Sequence, residues 1–110
     1  MLVAAGAGVI PAPALAELTA YTRSVAEAAG RSDLISGWYR ERGYRTLWTG
    51  PGDAARREAF LSAITQAAAH GLPVQRYDAA ALAARFRAAA TEGDRGRLEV
   101  AMTQALLVGA

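Results

Sequence analysis

The residues of this 110-residue chain best suited to chemistry are concentrated between Trp38 and Trp48, in the stretch W-Y-R-E-R-G-Y-R-T-L-W. Both tryptophans, two of the four tyrosines and three of the twelve arginines fall there. Two uses fit these residue types. Arginine is a planar fork for carboxylates, so Tyr44, Arg45 and Arg40 or Arg42 could hold a sugar or a carboxylate-bearing ligand. Alternatively, aromatic rings that bury roughly 150–250 Å² each form a hinge of the core. The second use is the one expected, with Trp38, Tyr39 and Trp48 inside and Trp48 against the helix that carries Phe60. A second marked stretch, H-G-L-P-V-Q-R-Y-D from His70 to Asp78, follows one helix later.

Other reactive groupings are missing from the chain. There is no cysteine, which excludes disulfides, thiolate metal sites and a cysteine nucleophile. A single histidine without cysteine does not furnish a usual zinc set. Ser24, Ser32, Ser36 and Ser62 lie in no G-x-S-x-G elbow. Gly50-Pro51-Gly52-Asp53 lacks the lysine of a phosphate loop. Asp53 with Glu58, and Glu92 with Asp94, suit helix starts and loops better than the paired acids of a glycosidase. No catalytic, cofactor-binding or metal-ligating residue is therefore expected. All twelve basic residues are arginine, spread among ten carboxylates for a net charge of +2. A nucleic-acid reader gathers such charge on one face, so none is expected as a partner.

The elements that must position these residues read as about five short helices, an all-α bundle of one small domain. Glu17–Ala29 carries Leu18, Tyr21 and Val25 on one stripe and stops at Gly30. Ser32 or Asp33 caps a helix running to about Arg42, with Gly43 at its end. Gly37, in its interior, is read as a point where another helix approaches closely. Tyr44–Thr49 is a brief extended aromatic segment, closed by the turn Gly50-Pro51-Gly52. Asp53 caps the next helix, whose apolar face is Phe60, Leu61 and Ile64, and which ends at His70-Gly71. A histidine there meets free carbonyls. Asp78 caps a helix from Ala79 to about Ala90, with Leu82 and Phe86 inward. Glu92-Gly93-Asp94 is a loop, and the last helix runs from Arg95 to Val108 with Leu98, Ala101, Met102, Ala105 and Leu106 inward. The expected core adds Leu34, Leu72, Tyr77 and Leu107.

The apolar run Met1–Ile10 followed by Ala14-Leu15-Ala16 has the pattern of a secretory signal and its cleavage site, without a basic leading region. The alternatives are an unstructured alanine-rich start or a short helix on the domain. The run is shorter than the roughly 20 residues that span a bilayer, so no transmembrane span is expected. Residues 1–16 are thus expected to be a signal, residues 17–110 the mature domain cut off at its C-terminal end, and the location periplasmic.

The order of these features resembles the N-terminal scaffold domain of periplasmic murein L,D-transpeptidases. Those proteins show F-Y-x-x-R-G-Y-x-P-L-W and then H-G-L-x-P-x-x-Y. Here Trp38-Tyr39, Arg42-Gly43-Tyr44 and Leu47-Trp48 stand for the first motif. His70-Gly71-Leu72, Pro73 and Tyr77 stand for the second. Thr46 replaces the proline, and Pro73 directly follows H-G-L. The resemblance covers about Asp33 to Leu107. It implies a non-catalytic scaffold fragment that supports a catalytic domain absent from this chain, with peptidoglycan as a further partner. The family's nucleophile is a cysteine, so no catalytic residue carries over. A stand-alone helical interaction module of the cell envelope is the competing reading.

Overall fold

A computed structural model describes the backbone of residues 12–71 and 78–109, and side chains within 20–71 and 78–107. Met1–Pro11, and Leu72, Pro73 and Tyr77 of the second motif, lie outside the described residues. Five α-helices are present among the described residues: α1 (Ala12–Ala28), α2 (Asp33–Glu41), α3 (Ala54–Ala69), α4 (Ala79–Ala88) and α5 (Glu92–Gly109). The domain is all-α.

Local chemistry sets most of the boundaries. Ser32 Oγ accepts the Ile35 N–H at 3.2 Å and starts α2. At its other end the Gly43 N–H reaches the Arg40 carbonyl and the Tyr44 N–H reaches the Tyr39 carbonyl, the paired closure of a left-handed cap. Gly43 has φ 68° and Tyr44 φ 61°, so two consecutive left-handed residues turn the chain sharply before Arg45. The Asp78 carboxylate accepts from the Ala80 and Ala81 N–H groups and starts α4.

α5 is the element on which the others are assembled. α1 lies along it, and the Ser24 hydroxyl donates to the Gly93 carbonyl at 2.6 Å. One buried cluster joins Tyr21 and Val25 of α1, and Ala29 just after it, with Ile35 and Tyr39 of α2 and Val100 of α5. A second joins Trp48 and Leu82 with Met102 and Ala105 of α5, and Phe60, Leu61 and Phe86 close over it. Leu98, Glu99 and Val100 are buried in succession, as expected of a helix covered on several sides.

Tyr44–Thr49 joins no strand, in keeping with the all-α class. Several other expectations are corrected. α5 begins at Glu92, so Glu92-Gly93-Asp94 is its first turn and not a loop. The reason is a reciprocal cap: the Asp94 N–H donates to Thr91 Oγ1 while the Thr91 N–H donates to Asp94 Oδ2. Asp53 holds the N-cap position of α3, but its side chain caps nothing there. Around Gly37 there is open space, and no helix approaches it. Leu34, Trp38, Leu106 and Leu107 are exposed, not core. They share one side of the molecule, where α2 and the end of α5 leave each other's apolar residues uncovered.

Candidate functional site

Buried among these helices is an acid that the residue pattern did not single out. Glu99 lies mid-α5 and is 0% exposed. Its Oε2 accepts the Tyr39 hydroxyl at 2.6 Å and the Leu47 N–H at 2.9 Å. Its Oε1 accepts the Trp48 N–H, the Thr49 N–H and the Thr49 hydroxyl at 3.2, 3.2 and 2.9 Å. Every one of these contacts is a donor, so the carboxyl group serves as acceptor only, which satisfies a group that is otherwise costly to bury.

The segment 45–50 is the other half of the arrangement. Having no partner strand, its backbone groups must find side chains or water. The carbonyls of Arg45 and Thr46 accept from Arg42. Those of Leu47 and Trp48 accept from Arg56 and Arg57, at 2.9 and 3.0 Å. That of Thr49 accepts from Arg95 at 2.9 Å. The Gly50 N–H and the Thr46 hydroxyl both donate to Asp53 Oδ2. Five consecutive carbonyls thus end on arginines, and the N–H groups of 47–50 end on two carboxylates. This explains both the missing strand and the missing cap: Asp53 is turned back to close the 46–53 turn instead of capping α3.

A relay of hydroxyls completes the site. The Trp48 indole N–H donates to Thr103 Oγ1 at 2.9 Å. Thr103 Oγ1 lies 2.7 Å from the Tyr39 hydroxyl, which has one proton and gives it to Glu99. Thr103 therefore donates to Tyr39, and the direction runs Trp48, Thr103, Tyr39, Glu99. Burial, reinforced by the nearby Glu99 carboxylate, pushes the Tyr39 phenol well above its ordinary range and keeps it a donor. Tyr21 is pushed up for the same two reasons, with the nearby Thr49 side chain pulling the other way, and its buried hydroxyl makes no hydrogen bond of ordinary geometry among the described residues. Burial raises the Asp53 carboxyl, yet Thr46, the Gly50 N–H and Arg56 outweigh it and leave a lowered value. Asp94 is lowered to about 2, first by the Ala90 N–H and then by Arg97.

The aromatic–arginine stretch is divided by this geometry. Tyr39 and Trp48 are buried, and Trp48 meets Phe60 with ring centroids 5.2 Å apart. Trp38 stays 39% exposed, edge-on to Tyr39 and covered on one face by Arg42 at 4.3 Å. Arg42 is committed to the loop, Gly43 and Tyr44 make the turn, and Leu47 is half-buried. His70 and Gly71 close α3 at its far end: the His70 Nδ1–H donates to the Gln66 carbonyl, and Gly71 has φ 81°. At 1.5 Å per residue the sixteen residues of α3 hold the two motifs about 24 Å apart, so His70 does not join the aromatic segment in one site.

Chemically, the arrangement is a lock. Its acid faces donors already committed to it, and among the described residues no cluster of histidine and carboxylates is placed to hold a metal. Sequence reasoning missed Glu99, Thr103, Arg57 and Arg95. A signal existed for Glu99, which interrupts the otherwise apolar run Leu98–Met102, and a polar residue at a core position is informative. Thr91-x-x-Asp94 was likewise legible as a capping box.

A family model described as a scaffold domain matches residues 33–110. No protein of curated function and no solved structure matches the chain.

Proposed function

The chain belongs to the scaffold-domain family, a non-catalytic role, and from that premise we propose that it is the scaffold portion of an exported, peptidoglycan cross-linking L,D-transpeptidase. In that reading it supports a catalytic domain carried elsewhere in the parent protein and stands beside peptidoglycan in the periplasm. The observation that carries the reading is the family match over 33–110 together with the ordered motif W-Y-x-x-R-G-Y-x-x-L-W, then H-G-L-P. The internal commitment of Glu99, Arg42, Arg56, Arg57 and Arg95 favours a supporting role over a reactive one. Export draws on Met1–Ile10 and Ala14-Leu15-Ala16. Among the described residues no helix is long and apolar enough to cross a membrane.

Reading the DNA downstream of the last codon tests the parent protein. An in-frame domain containing S-x-G-C is the expected result, and its absence from the genomic neighbourhood overturns the assignment. Purified chain incubated with muropeptides is expected to yield no cross-linked dimer, and turnover above a protein-free control would contradict a scaffold.

The competing interaction module draws on one specific feature, an open apolar groove of about 210 Å³ lined by Leu34, Ile35, Trp38, Leu47, Leu106 and Leu107. Its contact face would be this groove and not Arg42, Arg56, Arg57 and Arg95, which the loop already occupies.

A further inference from the structure

We infer that the folded unit of this scaffold includes α1, although the family match begins only at residue 33, the first residue of α2. Three independent features place α1 inside the unit. Tyr21, Val25 and Ala29 supply half of the cluster that buries Ile35, Tyr39 and Val100. Ser24 is 5% exposed and bonded to the Gly93 carbonyl in the first turn of α5. Gly96 of α5 is the point of closest approach: a Cβ added there would lie 2.7 Å from Ser24 Cβ and 2.9 Å from the Tyr21 carbonyl oxygen. Neither obstacle is the free end of a long side chain, so the helices would have to separate.

The same region is tied to the buried acid. Arg95, one residue before Gly96, bonds the Thr49 carbonyl and Glu92, and its guanidinium lies 5.9 Å from the Tyr21 ring. α1 therefore acts as an intramolecular partner that covers α5 behind Glu99. The named core residues of α1 all follow Ala16, so removal of residues 1–16 would spare them. This inference does not depend on the transpeptidase reading, and its test concerns folding alone.

Two glycine-to-alanine variants in the full chain decide it, because alanine is the better helix former and an unobstructed Gly→Ala change stabilises a helix. At Gly37 the added methyl meets nothing within 4 Å, so Gly37→Ala should raise the denaturant midpoint. Gly96→Ala should lower it, and should speed tryptic cleavage after Arg23 in α1. The opposite signs are the signature of a docked α1. If α1 is not docked, Gly96→Ala raises the midpoint as Gly37→Ala does, with Arg23 cleaved equally fast in both, and the inference is overturned. Should Gly96→Ala not fold, Val25→Ala replaces it: Val25 is 0% exposed, and an unchanged midpoint there also overturns the inference.

Discussion

Trp38 and Trp48 stand ten positions apart in one motif, yet they serve opposite surroundings. Trp48 is 3% exposed, tilted against Phe60 and bonded through its indole N–H to Thr103. Trp38 is 39% exposed and lines the apolar groove with Leu34, Leu106 and Leu107. Thr103 belongs to both places: its hydroxyl carries the relay to Tyr39, and the residue also lines the groove. The difference shows how this small domain spends its large side chains. Polar atoms within the core are nearly all paired, which rigidifies the 45–50 segment. The exposed residues of the groove, Leu34, Trp38, Leu106 and Leu107, belong to no comparable network and can change with little effect on the fold.

The largest effect should come from Glu99→Ala. It strands the N–H groups of Leu47, Trp48 and Thr49, and each buried donor without an acceptor costs about 1–3 kcal/mol. Summed, the loss is comparable to the roughly 5–15 kcal/mol that holds a domain together. No cooperative urea transition is expected by circular dichroism; a midpoint near that of the parent would mean that the loop is held by other forces.

Next is Trp48→Ala, expected to cost about 3–5 kcal/mol. The comparison is sharpened by Trp38→Ala, which loses an exposed ring and an arginine contact of about 0.5–1 kcal/mol. If both variants shift the unfolding midpoint equally, the division of the motif into core and groove is wrong.

A smaller, signed effect separates two buried phenols. Tyr39→Phe removes the proton given to Glu99 and should destabilise by about 1–3 kcal/mol. Tyr21→Phe removes a hydroxyl that makes no hydrogen bond of ordinary geometry among the described residues, and should leave stability unchanged or raise it. Thermal melts of the two variants that fall by the same amount would show that the Tyr21 hydroxyl is bonded after all.

Leu34→Ser should be the mildest. The side chain is 70% exposed, and surface changes usually stay within about 0.5 kcal/mol. A larger loss of stability would place Leu34 in a contact that the groove description lacks.

Within the described residues, what the sequence determined by itself is chiefly local. The Gly43 and Gly71 ends, the Ser32 and Asp78 starts and the apolar stripes of α1 and α4 follow from capping and periodicity within a few residues of one another. The all-α class follows from those same signals, as does the core position of Trp48. Even where a local rule applied, competition limited it: Asp53 sits where a cap should be, but Thr46 and Gly50 hold its carboxylate. The tertiary structure alone decided that Trp38 would stay outside the core, that Tyr44–Thr49 would find side chains instead of a strand, and that Glu99 would be the residue to hold it. Those choices depend on groups 46 to 69 positions apart, such as Arg95 with Thr49 and Ser24 with Gly93. Periodicity identifies a face, but the partner of that face is specified only when the helices meet and their polar atoms must be paired away from water.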